Sequence, residues 1–198
     1  MSIAAAAESA ERREGGTGVS SGKLALWVFL ASEIMVFGGA IVAFVLLRLR
    51  SEGWSADVAH NNTLLGAINT LILLTSSFTM VEVHSAYKRQ DVRGFRRHLG
   101  ATILLGLVFL AIKGFEYTSH FRHDIIPTTS LFWAFYFVMT GLHALHVLAG
   151  IVANGCLFAT VSDSEGVARR GHRAELNGLY WHFVDVVWIF LFPLLYLG

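Results

Sequence analysis

Three scarcities bound this chain before any motif is considered. Of its 198 residues one is cysteine, two are proline, and only 15% carry charge. A soluble domain averages about 25% charged residues. The lone Cys156 excludes an internal disulfide framework and any cluster of thiolate ligands. A net charge of +1 gives no basic surface for a nucleic-acid partner. No Walker loop, no H-E-x-x-H helix and no serine elbow is present. What abounds is apolar. Hydrophobic residues make up 55% of the chain, with 15 Phe and 5 Trp, and the mean hydropathy is +0.58. These figures exclude a disordered chain. A soluble globular fold of this length has nowhere to put so much apolar surface.

The apolar residues come in runs. A spanning helix needs roughly 20 mostly apolar residues. Five stretches meet that need, at about 24–47, 64–84, 98–118, 130–161 and 177–197. They predict an all-α membrane protein, a bundle of five transmembrane helices. Helices are required because lipid cannot satisfy an open backbone, and the runs lack a barrel's alternation. The fourth run exceeds the hydrocarbon thickness and must tilt or protrude. Residues 1–22 are of another kind, rich in Ala, Ser, Gly and charge, with no apolar core region of a signal peptide. They are expected to form a mobile N-terminal tail ahead of a 23–198 membrane domain.

Orientation follows from Lys and Arg. With five spans, the tail, the second loop and the fourth loop share a side. That side holds 11 basic residues, the other holds Arg48, Arg50 and Arg122, and Lys113 lies inside the third span. The bias predicts a cytoplasmic N-terminus and an outside C-terminus. The loop KRQDVRGFRRH is the main anchor.

Polar residues inside spans are costly and need partners or water. Glu33 lies ~15 Å into the first helix, near mid-bilayer. Either it is a neutral, hydrogen-bonded carboxyl between helices, or it handles protons or faces lipid. His143 and His146 share one face of the fourth helix, and His182 and Asp185 share one face of the fifth. By depth, His143, Asp185 and Glu33 come to one level and His146 approaches His182. A buried polar layer across helices one, four and five follows. Haem ligation by matched histidines is its rival. Lys113 and Glu116, at i, i+3 spacing, are expected to be an ion pair or snorkelling groups. Asn69, Thr70, Thr75, Ser76 and Ser77 give the second helix a small polar stripe suited to close contact. Trp181 and Trp188 are expected to be packing or lipid-facing aromatics.

Several segments resemble one known family. Trp181–His182–Phe183–Val184–Asp185–Val186–Val187–Trp188 is similar to the C-terminal signature of subunit III of the haem-copper terminal oxidases. Thr140–Gly141–Leu142–His143–Ala144–Leu145–His146–Val147 resembles its T-G-x-H-x-x-H-V segment. Ser32–Glu33 with Phe37 resembles its S-E-x-x-x-F segment, and Asn69–Thr70 and Phe115–Glu116–Tyr117 fit as well. The segments come in the family's order and cover roughly residues 23–198.

The resemblance implies an accessory subunit of an aerobic respiratory oxidase. Glu33 and the Y-W-H-F-V-D-V-V-W run look more like the cytochrome c oxidases than the quinol oxidases, which tend to carry Asp at the Glu33 position. A nitric oxide reductase subunit with five spans is the alternative within the class. A haem b membrane cytochrome using His143, His146 and His182, or a small transporter, lies outside it. By the resemblance this chain carries no redox centre. Haem and copper belong to subunits I and II, its expected partners, and cytochrome c donates the electrons. The implied role is to stabilise the core, bind phospholipid and sustain proton uptake in a bacterial-type inner membrane. Longer members carry two further N-terminal helices, and the cleft these form holds lipid. Family-signature positions with a polar-core or lipid-related role are Glu33, His98, Glu116, His143, His146, Trp181, His182 and Asp185. His98 is expected to approach Glu33 from the cytoplasmic side.

Overall fold

A computed structural model describes residues 21–50 and 54–197. The tail expected over 1–22 falls outside them, apart from Ser21 and Gly22, which open the first helix. Five long helices carry the chain: α1 (Ser21–Arg48), α3 (Thr63–Lys88), α4 (Val92–Arg122), α5 (Leu131–Thr160) and α6 (Ser164–Phe192). A short α2 (Trp54–Val58) joins α1 to α3, and α6 runs on into a π-helical turn at Pro193–Leu197. All five long helices have the length and hydropathy to cross a membrane. The chain is a multi-pass membrane protein.

Local chemistry starts four of the five long helices. Asn62, Asp91, Ser130 and Asp163 stand at N-caps in extended backbone, and each side chain accepts a backbone N–H from the first turn. Two of these caps move the boundaries that hydropathy suggests. Asp91 starts α4 at Val92, and Asp163 starts α6 at Ser164. The stretch holding Arg169, Arg170 and Arg173, expected as a loop, is therefore the first turns of α6. Hydropathy marks where lipid begins, and caps mark where the helix begins. The α3–α4 turn is short enough to put Gln90 in the left-handed region, at φ 55°.

Successive spans alternate in direction. Helices α3, α4, α5 and α6 close a ring in which α3 and α5 each pack on both α4 and α6. Trp181 of α6 fills its middle at 1% exposure. A Cβ at Gly106 of α4 or Gly150 of α5 would come within 2.8 Å of its ring. Those glycines make the room. The indole N–H donates to Ser76 Oγ of α3 at 2.7 Å, so one side chain ties all four helices. Two turns on, Trp188 repeats the device, donating to Thr70 Oγ1 at 3.0 Å and meeting Phe109 edge-on at 4.9 Å.

Helix α1 lies outside this ring, against α5 and α6. Its buried residues are Leu30, Phe37 and Phe44. That seven-residue spacing makes one narrow seam, flanked by part-buried Glu33, Ala40 and Ile41, and the opposite side of the helix faces outward. Phe44 ends in an aromatic knot with Trp54 at 5.0 Å and Phe135 at 5.7 Å. At the opposite, basic end Arg96 donates to the Phe158 and Val161 carbonyls and lies 4.3 Å from the Phe158 ring centre. A cation thus closes the C-terminus of α5, where the helix dipole favours it.

Candidate functional site

The bundle interior holds two polar assemblies. The first centres on Lys113 of α4, 3% exposed. Its ammonium donates three hydrogen bonds: to Glu116 Oε2 at 2.9 Å, Tyr136 OH at 3.0 Å and Tyr196 OH at 2.8 Å. Tyr196 in turn donates to Glu116 Oε1 at 2.7 Å. Every ammonium proton has an acceptor, and the circuit closes on itself. Such satisfaction lets a buried ion pair offset its desolvation. Ion pairing is the arrangement found, and snorkelling is not, because both side chains point into the bundle. Tyr136 and Tyr196 escaped sequence reasoning. They carry no charge and sit on α5 and the last turn, far along the chain from Lys113. The i, i+3, i+7 spacing of Lys113, Glu116 and His120 was the one available signal.

A cavity of about 510 Å³ opens beside this cluster, at the end away from the basic loop. Glu116, His120, His60 and His123 line it. His120 Nε2 stands 4.0 Å from Glu116 Oε1, beyond hydrogen-bonding distance.

The second assembly joins α1 to the ring. Glu33 Oε2 lies 3.1 Å from His146 Nε2, with side-chain exposures of 16% and 14%. The other nitrogen of His146 meets the Leu142 carbonyl at 2.8 Å. Both nitrogens of that imidazole are engaged. Phe37, one turn from Glu33, meets the His146 ring at 5.4 Å.

The remaining expected residues take separate places. His143 is fully buried between Trp188, at 5.1 Å, and Phe109, at 5.6 Å. Neither of its ring nitrogens has a hydrogen-bond partner among the described residues, and the histidine that meets Glu33 is His146. His182 Nδ1 lies 2.6 Å from Ser77 Oγ on α3. It therefore faces α3, away from His146. Asp185 is 3% exposed, and neither oxygen has a hydrogen-bond partner among the described residues. Its position in the bundle interior puts it one turn from His182. His98 does not meet Glu33. Helix α1 packs on α5 and α6, and the closest polar partner of Glu33 is His146. Of the two roles open to Trp181, packing and lipid contact, its 1% exposure fits packing. The described residues contain no group of three His, Cys, Asp or Glu placed to hold a metal ion.

A family model described as cytochrome c oxidase subunit III matches residues 6–198. The chain is 38% identical over 175 residues to "Cytochrome c oxidase subunit 3" of Thermostichus vulcanus, covering 88% of this chain and 86% of that protein. It is 37% identical over 172 residues to the protein of that name from Corynebacterium diphtheriae, covering 85% of this chain and 84% of that one. The Synechocystis protein of that name is 35% identical over 172 residues, covering 86% and 72%. Alternatives built on a free-standing cytochrome or a transporter fit less well. The chain belongs to the cytochrome c oxidase subunit III family.

Proposed function

We propose that this chain is a non-catalytic subunit III that holds no redox centre and steadies subunits I and II of a cytochrome c oxidase. The observation that carries this reading is how its histidines are spent. His146 uses one ring nitrogen on Glu33 and the other on the Leu142 carbonyl, and His182 uses Nδ1 on Ser77. His143 lies between two aromatic rings inside the bundle. Axial haem ligands need a free nitrogen aimed at open space, with a second shell that supports it. These rings serve helix packing instead. Haem and copper then reside in the partner subunits, and cytochrome c is the donor to the complex. The exposed apolar faces of the helices meet lipid and the partners, and bound phospholipid fits the apolar groove between Gly38 of α1 and Phe183 of α6.

The basic end faces the cytoplasm and the C-terminus lies outside, in a bacterial-type inner membrane, by the distribution of Lys and Arg. Glu33, His98, Glu116, His143, His146, Trp181, His182 and Asp185 act as polar-core and lipid-related positions, none of them catalytic. Affinity capture of the tagged chain tests the role. Haem and copper should travel with the larger partners, and the separated chain should be colourless. A haem spectrum from the isolated chain overturns the reading. Orientation is tested with Arg93→Cys in a Cys156→Ser background, because Cys156 is exposed. Labelling of position 93 from outside sealed cells overturns it.

A further inference from the structure

The interior of the bundle carries polar atoms that neither assembly uses. Both oxygens of Asp185, both ring nitrogens of His143 and both amide atoms of Asn69 lack a hydrogen-bond partner among the described residues. Their residues are 3%, 0% and 0% exposed. Native interiors pair nearly all such atoms, with protein or with buried water.

Contacts along the helices set these groups in register. Trp188 stands one turn beyond Asp185 on α6. Its N–H reaches Thr70, the neighbour of Asn69, and its ring lies 5.1 Å from His143. Asp185, Asn69 and His143 thus occupy adjacent levels of the same ring interior. On the other side of Asp185, one turn back along α6, His182 Nδ1 lies 2.6 Å from the Ser77 hydroxyl of α3. His182 in turn lines a groove of about 250 Å³ between α3 and α6, with His84 and Glu175. The groove lies toward the basic end.

We infer that Asp185 is a proton-binding carboxyl, linked by buried water to Asn69 and His143. It exchanges protons with the aqueous phase at the basic end through Ser77, His182 and the groove. At each exchange a buried water gives a proton to Asp185 and takes one from the Ser77 hydroxyl, which receives one from His182, itself reprotonated from groove water. Protons are conserved at every hop, and the reverse sequence empties the site.

The site is open at one end only. Beyond Trp188 lies the Lys113 ammonium, 5.4 Å from the Trp188 ring, and Phe109 packs edge-on against the same indole. That ammonium is compensated by Glu116 at 2.9 Å and all three of its protons are engaged, so the cluster is a closed circuit and not an onward relay. The titratable groups around this interior include His182 and Glu175 on α6, Tyr196 in the last turn, His84 and Glu82 on α3, Lys113 and Glu116 on α4, Tyr136, His143 and His146 on α5, and Glu33 on α1. This inference rests on the bundle's geometry and does not require the accessory role proposed above.

Infrared spectroscopy of the assembled complex tests it. The difference between wild type and Asp185→Asn isolates the Asp185 carboxyl, and transfer into D2O follows its exchange. A band of protonated Asp185 that shifts on deuteration is expected. Gly178→Leu places a side chain in the groove, where a Cβ meets only Met80 at an ordinary 3.7 Å. It should slow that exchange. Ser77→Ala, which leaves the groove open, should slow it as well. The inference is overturned if Asp185 gives no protonated band, or if the shift proceeds at the wild-type rate in both variants. Should Gly178→Leu fail to assemble, the Ser77→Ala rate decides alone.

Discussion

Helix α1 and the α3–α6 ring are made of the same apolar residues, yet they are held in different ways. The ring is locked by side chains that each touch several helices: Trp181 among α3, α4 and α5, and Lys113 with α5 and the last turn of the chain. Removing either of them strips contacts from several helices at once. Helix α1 has a single seam of Leu30, Phe37 and Phe44, with two polar tethers, Glu33–His146 and Lys23–Glu175. Met35 and Val28 on its outer side are 78% and 64% exposed. In lipid there is no hydrophobic drive between helices, so close packing and polar contacts decide association. By that measure the ring is a unit, and α1 is an attachment whose outer face is free for lipid or a neighbouring subunit.

The largest effect should come from breaking the ring's ion cluster. Lys113→Met leaves Glu116 buried at 3% exposure with its cation gone, although Tyr196 still donates to one oxygen. Losing one partner of a buried pair costs about 3–5 kcal/mol. The expected result is a much lower unfolding midpoint for the complex-bound subunit, read by its dissociation during heating. Replacing both members, Lys113→Met with Glu116→Leu, should recover most of the loss. If the double variant is as unstable as the single one, the pair contributes more than desolvation arithmetic allows.

The contrast between ring and attachment was only half legible in the sequence. Five helices could be read from hydropathy because the signal is long and the bilayer sets its length. The Lys113–Glu116 pair could be read from i, i+3 spacing. Its tyrosines could not, because Tyr136 and Tyr196 are 60 residues apart and meet only through the fold. Depth counting placed Glu33 near the histidines of α5 but did not single out His146 as its partner. An uncertainty of one turn in where a helix enters the membrane exchanges His143 for His146. The seam of α1 was present in the sequence at positions 30, 37 and 44, but a helix apolar on every side hides which stripe is buried.

A smaller effect is expected from the deeper tether of α1. Glu33→Ala removes the partner of a largely buried His146 and opens space beside Phe37. Glu33→Gln keeps the shape and one hydrogen-bonding oxygen. The loss on Ala substitution should be about 1–3 kcal/mol, the cost of an unsatisfied buried group, and less for Gln. It should fall on α1 alone. Cysteines at Leu30 and on the facing side of α5 would crosslink more slowly in the Ala variant, while the ring's thermal midpoint stays unchanged. Assembly and oxygen reduction should survive in the Gln variant. An assembled Gln variant that no longer reduces oxygen would place Glu33 on a catalytic proton path.

The smallest effect belongs to the other tether. Lys23 Nζ donates to Glu175 Oε1 at 2.9 Å, joining the start of α1 to α6 at the basic end. The distance is as short as that of the buried Lys113–Glu116 pair, but the surroundings differ. Lys23 and Glu175 are 32% and 37% exposed, so water and salt screen them. Pairs of this kind contribute ~0.2–1 kcal/mol, and long side chains lose entropy on being held. Glu175 also has His172 at 3.7 Å, which softens the loss of either partner. Glu175→Gln should therefore leave the thermal midpoint within error and change α1–α5 crosslinking only at low ionic strength. The same crosslinking assay at low and high salt checks it. A salt-independent loss as large as that of Glu33→Ala would mean that the two tethers are equivalent, and that burial does not separate them.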